Sequence, residues 1–270
     1  MTPLSERPNP ALFFLLVLFA ISGCSSLSFI QSKPQADQLI GSQSQLLKKY
    51  QADQNQRRLQ LKNWQINGVL DIDHEEHGRR NRIVITTHNG DQLRLRIYGP
   101  FKQVAFDLLV DQQWLQLTKP KEHQVIRVPS SVDGMNYLTG FLINPNNLSQ
   151  FFTATAPQLA TGPKETSIGV EATTITGEKV QLDPVNGYIK QRWSANNANN
   201  KYSLQYHWPK TANNSQPPAL PSKIAITIPK ESMVVTFILR KWRVDNTESQ
   251  KAARAIPAGF SIVEPFTQQR

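Results

Sequence analysis

The chain has 270 residues, 39% of them hydrophobic, with 30 Lys and Arg against 20 Asp and Glu for a net charge of +10, and a single cysteine, Cys24. One cysteine excludes an intrachain disulfide and any Cys-x-x-Cys site, so a folded domain must rest on its own apolar core, and the length permits one large core or two small ones. The cations are scattered, as Arg57-Arg58, Arg79-Arg80, Arg94, Arg96, Lys119, Lys121 and Arg240-Lys241. They make either a plain solvated surface or one suited to an anionic partner.

The first feature along the chain is the apolar run Ala11–Ile21. It is short for a bilayer span, which takes about 20 apolar residues, and has the length of a signal-peptide core. It ends in Ile21-Ser22-Gly23-Cys24, which resembles the lipobox of bacterial lipoproteins: an aliphatic residue, two small ones, then cysteine. The small side chains admit a peptidase, and the Cys24 thiol can carry a diacylglycerol thioether. Residues 1–23 are therefore expected to be a signal peptide, and 24–35, rich in Ser, Gln, Lys and Pro, a lipidated tether. An ordinary signal peptide or a short membrane anchor is the alternative. Ser25, where an Asp would mark inner-membrane retention, points to the outer membrane, with the domain facing the periplasm. In that compartment nucleic acid is not an expected partner; anionic headgroups or an acidic protein are.

Residues 36–270 are expected to form a single domain with an N-terminal helix and a C-terminal extension. Leu39, Ile40, Leu46, Leu47 and Tyr50 recur near helical spacing and predict an amphipathic helix over 36–62. From Trp64 the period is two. Ile66, Gly68, Leu70 and Ile72 share a face; a turn at His74–Gly78 leads to Ile83 and Ile85; His88-Asn89-Gly90-Asp91 is a hairpin signal. Leu93–Ile97, Val104–Val110, Trp114–Leu117 and Val125–Val128 follow as strands. Tyr137, Leu138, Phe141 and Leu142 predict one short helix, and Leu148, Phe151 and Phe152 a second that ends at Pro157. Strands resume over 166–175, 179–182, 188–194, 202–208, 224–228 and 233–244, and 256–266 is an extended edge segment. The fold class is mainly β (α+β): a strongly curved antiparallel sheet with helices covering its concave apolar face. Incomplete cover would leave an apolar cavity suited to lipid-like ligands.

These segments, in this order, resemble the LolB family of outer-membrane lipoprotein receptors, over roughly residues 59–244. Leu61-Lys62-Asn63-Trp64-Gln65-Ile66-Asn67-Gly68 is similar to the family's entry into its first strand. Gly99-Pro100-Phe101-Lys102 falls where the family has a protruding loop with an exposed hydrophobic residue. Leu138-Thr139-Gly140 with Leu148–Phe152 resembles the helical segment, and Tyr206 through Pro221 to Arg240-Lys241-Trp242 the last hairpin. Phe151-Phe152-Thr153-Ala154-Thr155-Ala156-Pro157 departs from the family's Trp-Leu-x-Gly-x-Pro type segment, Lys102 replaces a small residue, and the extension after 244 is long; a paralogue with another lipid cargo is the alternative.

The resemblance implies a half-open antiparallel barrel. It also implies a monomeric receptor that takes acylated lipoprotein cargo from a periplasmic carrier chaperone and releases it into the inner leaflet of the outer membrane. Cys24 would anchor it. Gly99, Pro100 and Phe101 would form a membrane-insertion or cargo loop, the alternative for Phe101 being a buried turn residue. Leu93, Leu95, Ile97, Val104, Phe106, Leu108, Phe141, Leu142, Phe151 and Trp208 would line the acyl cavity, the alternative for each being plain core packing. A second function is a structural or assembly lipoprotein that binds a membrane protein or cell-wall component through its basic surface; a third is an acyl-processing enzyme.

No enzyme motif supports the third. There is no Gly-x-Ser-x-Gly elbow or phosphate loop, and His74-Glu75-Glu76-His77 lacks the His-Glu-x-x-His spacing of a zinc helix. No metal or cofactor is expected.

Overall fold

The computed structural model describes residues 36–74, 77–140, 142–166, 169–194, 202–209, 219–229, 232–244 and 256–266. Cys24, the signal segment and the tether lie outside these residues, as does Phe141. The chain divides into two compact units, Met1–Ile40 and Gly41–Arg270. Of the first, only the start of a helix is described; every strand belongs to the second.

Helix α1 spans Ala36–Gln60. A long antiparallel ribbon follows, β1 (Trp64–His74) and β2 (His77–His88), then β3 (Gln92–Tyr98), β4 (Val104–Val110), β5 (Trp114–Lys119) and β6 (Gln124–Pro129). Helices α2 (Val132–Thr139) and α3 (Leu148–Thr153) interrupt the strands. The second series is β7 (Lys164–Thr166), β8 (Gly169–Thr173), β9 (Lys179–Leu182), β10 (Ile189–Trp193), β11 (Ser203–His207), β12 (Lys223–Ile228) and β13 (Met233–Val244), with β14 (Ser261–Val263) last. Among the described residues these form one sheet in the order β14-β6-β5-β4-β3-β2-β1-β13-β12-β11-β10-β9-β8-β7. All neighbours are antiparallel except β14, which runs parallel to β6.

Register explains the curvature. Bulges interrupt the β1–β13 pair at Asn67/Gly68 and the β3–β4 pair at Ile97/Tyr98, and each extra residue adds local twist. At Gly68 a Cβ would lie 2.4 Å from the Ile238 carbonyl oxygen, so glycine permits the close approach there. Asn89 (φ 53°) and Gly90 (φ 77°) close the β2–β3 hairpin with positive φ at both turn residues, as the Asn-Gly signal predicts.

Four features differ from expectation. His74 and His77 are the facing ends of β1 and β2 rather than turn residues, because the antiparallel ladder continues through them. Helix α2 stops at Gly140, whose left-handed φ of 76° lets its N–H reach the Asn136 carbonyl, so Leu142 lies beyond the helix. Helix α3 stops at Ala154, also left-handed, three residues before Pro157. The 166–175 stretch divides into β7 and β8.

Candidate functional site

Alternation along the strands sends Ile66, Ile83, Ile85, Leu93, Leu115 and Val128 into one core under the concave side. Across β2–β6 this face is a set of rows at successive levels. The first row is Thr87, Leu93, Val110, Leu115 and Val128, all buried. Helix α2 seals it: a Cβ at Gly134 would come within 3.0 Å of the Val128 Cγ2, so only glycine lets the helix sit this close. The next row is Ile85, Leu95, Leu108, Leu117 and Ile126, where Leu95, Leu117 and Ile126 are only half-buried. The third holds Ile83, Ile97 and Phe106, and Phe106 is 40% exposed. Along β3–β6 the concave face therefore loses its cover row by row toward the β3–β4 turn, while Ile85 and Ile83 on β2 stay buried.

That turn carries the Gly99-Pro100-Phe101 loop. Gly99 N–H donates to the Gln103 carbonyl at 2.9 Å and Lys102 N–H to the Gly99 carbonyl at 3.1 Å, closing a tight hairpin with Lys102 at φ 62°. Phe101 stands at its tip, 89% exposed. An aromatic ring held in water by a rigid turn is the kind of feature that marks a contact surface.

The other half of the concavity is filled. Helix α1 lays Leu46, Tyr50, Gln54 and Arg57 into it, a buried stripe at helical spacing that is apolar at one end and polar at the other. Arg57, fully buried, pairs with Asp53 at 2.6 Å and donates to the Thr153 carbonyl at 3.0 Å, and its guanidinium lies 4.9 Å from the Trp208 ring. Gln54 donates to the Ala154 carbonyl and accepts from the Ala156 N–H. Beneath, Arg192 on β10 is fully buried, bonded to Glu178 at 2.6 Å and to the Thr155 carbonyl at 3.1 Å. The Tyr202 hydroxyl donates to the second Glu178 oxygen at 3.1 Å. The four carbonyls of Thr153–Ala156 thus find their donors on α1 and β10, while the Ala154 and Thr155 N–H groups turn back to α3, which is what a buried loop requires. Burial pushes the Tyr50 and Tyr206 hydroxyls up to about 12, and burial with the Glu178 charge raises that of Tyr202.

The expected cavity residues therefore fall in different places. Leu93, Leu95, Ile97, Phe106 and Leu108 share the graded concave face of β3 and β4. Val104 does not: the bulge pairs it with Tyr98, so the alternation Val104–Phe106 breaks between them. Phe151 is buried against Tyr202 and beneath the Arg192 guanidinium, at 4.7 Å. Trp208 stacks on Tyr188 and donates to the Ile189 carbonyl at 2.9 Å. Leu142, half-buried, follows α2. A cavity of about 410 Å³ lies elsewhere, between one flank of α1 and residues 158–162, lined by Gln51, Gln54, Asn55, Arg58 and Gln158 among others, and by none of the expected residues.

Gln54, Arg57, Glu178 and Arg192 were not singled out from the sequence. The available signal was the continuation of the Leu46-Tyr50 spacing to Gln54 and Arg57. Among the described residues no group of three His, Cys, Asp or Glu side chains could hold a metal, and no helix is long and apolar enough to cross a membrane.

No family model matches the sequence, and no curated protein matches it either. Solved structures do resemble the fold. A LolA superfamily protein from Nitrosomonas europaea superposes with a TM-score of 0.51 at 13% identity, covering 73% of this chain and 94% of that one. A putative outer membrane lipoprotein-sorting protein domain from Vibrio parahaemolyticus gives 0.53 at 10% identity, covering 77% and 95%. A DUF1329 family protein from Desulfovibrio piger gives 0.50 at 14% identity, covering 74% and 95%. At these identities the likeness concerns the fold, and the fold is the open, helix-covered antiparallel barrel of LolA-like proteins.

Proposed function

We propose that this chain is a lipid-anchored receptor that accepts the acyl chains of lipoprotein cargo on the concave face of β2–β6 and passes the cargo to the outer membrane. The observation that carries this reading is the graded exposure of that face along β3–β5, from the sealed Leu93–Val110–Leu115 row to half-buried Ile97 and exposed Phe106 beside the Phe101 hairpin. An acyl chain in water costs about 0.8 kcal/mol per methylene, so an apolar trough that opens at a rim lowers the barrier to handing it over. Moving the chain from a carrier's apolar site to this one exchanges like for like, and a modest affinity difference sets the direction. The lipid on Cys24 would place the trough at the bilayer, with Phe101 meeting membrane or cargo. The charged side under α1 favours the β2–β6 half as the seat, because an acyl chain placed against Arg57 and Arg192 would strip their partners.

The test is a two-component transfer assay. The chain from Ala36 onward, which carries every described strand and the core cluster, is mixed with a periplasmic carrier loaded with a triacylated lipoprotein. Cargo should move to it, and lipid should co-purify with it by mass spectrometry. No transfer and no bound lipid would sink the reading.

A further inference from the structure

The sequence Arg79-Arg80-Asn81-Arg82 places three guanidinium groups within four residues of β2. None of the three forms an ion pair among the described residues, and all are exposed. The register fixes where they sit. Arg82 lies opposite Tyr98, with its guanidinium 5.4 Å from the ring centroid. Strand β3 turns immediately after Tyr98, while β2 runs on past it through Arg80 and Arg79. The cationic stretch therefore flanks the hairpin whose tip holds Phe101 and exposed Lys102. Arg80 and Arg82 point to the convex side; Arg79, opposite Ile72, is on the concave side at the lip of the apolar face.

Among the described residues, other charges do not cancel this cluster. Asp71 lies opposite Arg80 and Asp73 opposite Gly78. Asp107 is occupied by Arg94 at 2.5 Å and by Arg96 at 3.5 Å. Among the described residues, Arg79, Arg80, Arg82 and Lys102 thus face two carboxylates, Asp71 and Asp73, while Glu75 and Glu76 lie outside the described residues.

We infer that this rim is a docking surface for anionic phospholipid headgroups, with Arg79, Arg80, Arg82 and Lys102 meeting the phosphates while Phe101 enters the acyl region between them. Two features select a bilayer over an acidic protein or nucleic acid. The aromatic tip is solvent-exposed to 89% beside the cations, and a bilayer alone stacks an anionic layer directly on an apolar one. Arginine stems also lie along the apolar boundary while the head stays with phosphate. The inference rests on the proposed membrane-facing role of the Phe101 hairpin and adds the headgroup chemistry. It concerns membrane contact alone, so a protein that binds lipoprotein but ignores headgroup charge would fail it while the acyl reading stands.

The experiment is flotation of the Ala36–Arg270 chain with phosphatidylcholine vesicles, with and without phosphatidylglycerol. Binding should require phosphatidylglycerol and weaken as salt is raised. Each cation contributes roughly fivefold, so R79Q/R80Q/R82Q should lower partitioning by roughly 100-fold and K102Q by roughly fivefold. F101A should weaken binding at every salt concentration. Circular dichroism and Tm establish that the variants are folded; if the triple variant is not, single R80Q and K102Q carry the test. Equal binding to both vesicle types, no binding to either, or unchanged partitioning of folded cation variants would overturn the inference. So would salt-sensitive binding to an acidic protein with none to the vesicles.

Discussion

Glu178→Gln would break the buried pair that fills the β10 side of the concavity. Arg192 is fully buried and directs its Nε and Nη2 to one Glu178 oxygen, at 3.1 and 2.6 Å. The substitution keeps the shape and removes the charge, leaving a guanidinium without a counter-ion in the core. Breaking such a pair costs about 3–5 kcal/mol, a large part of a domain's total of about 5–15. The double variant E178M/R192M removes both charges. It leaves the Thr155 carbonyl without the donor now at 3.1 Å and the Tyr202 hydroxyl without its acceptor, each worth about 1–3 kcal/mol. These two losses sum to about 2–6 kcal/mol, so the double variant should cost about as much as E178Q alone and less than the two single variants summed. Urea unfolding followed by tryptophan fluorescence gives each value, provided the denaturant slope is unchanged. An E178Q loss below about 1 kcal/mol, or a double-variant loss equal to the sum of the singles, would refute the view that paired charge seals this half.

Gly68→Ala should lower stability by about 1–3 kcal/mol, since its Cβ would meet the Ile238 carbonyl at 2.4 Å and force the central β1–β13 seam apart; an unchanged Tm would contradict this. Alkaline pH should destabilise the fold. Tyr50 and Tyr206 titrate near 12 when folded and near 10 when unfolded, so their contribution is whole below pH 10 and is lost as pH rises toward 12, by up to about 1.4 kcal/mol per pH unit for each. Tyr50→Phe should flatten that slope at little cost near neutral pH, because the Tyr50 hydroxyl is buried without a hydrogen-bond partner among the described residues; an equally steep Tm-versus-pH curve counts against it. Phe106→Arg should leave Tm within a few degrees, since the ring is 40% exposed, yet reduce co-purified lipid severalfold; retained lipid would remove Phe106 from the seat.

Period-two alternation made β3–β6 legible, because a half-buried strand writes its inner face into every second residue. The bulge at Ile97/Tyr98 was not legible: an extra residue changes the face of Val104 without changing the composition around it. The body of α1 followed from Leu46 and Tyr50, whereas Gln54 and Arg57 look like solvent-facing residues until their partners at Thr153–Ala156 are known, about a hundred positions away. The ends of α2 and α3 depend on left-handed residues at Gly140 and Ala154; the glycine is a readable stop, and the alanine is not. The tail was legible as an edge segment, but its parallel pairing with β6 rests on a contact that no local pattern encodes.

The seam between β1 and β13 has a consequence for how the protein is made. Each series of strands pairs mostly with its own sequence neighbours, so each can zip up over short loops. The middle of the sheet is different, for Trp64 must find Val244 and His74 must find Met233. Until the chain has been delivered through Val244, β1 has one open edge of eleven residues, the longest unpaired template among the described strands. Assembly is therefore gated by the arrival of the last long strand, and the interval before it arrives is when an incomplete chain is most exposed to pairing with another copy.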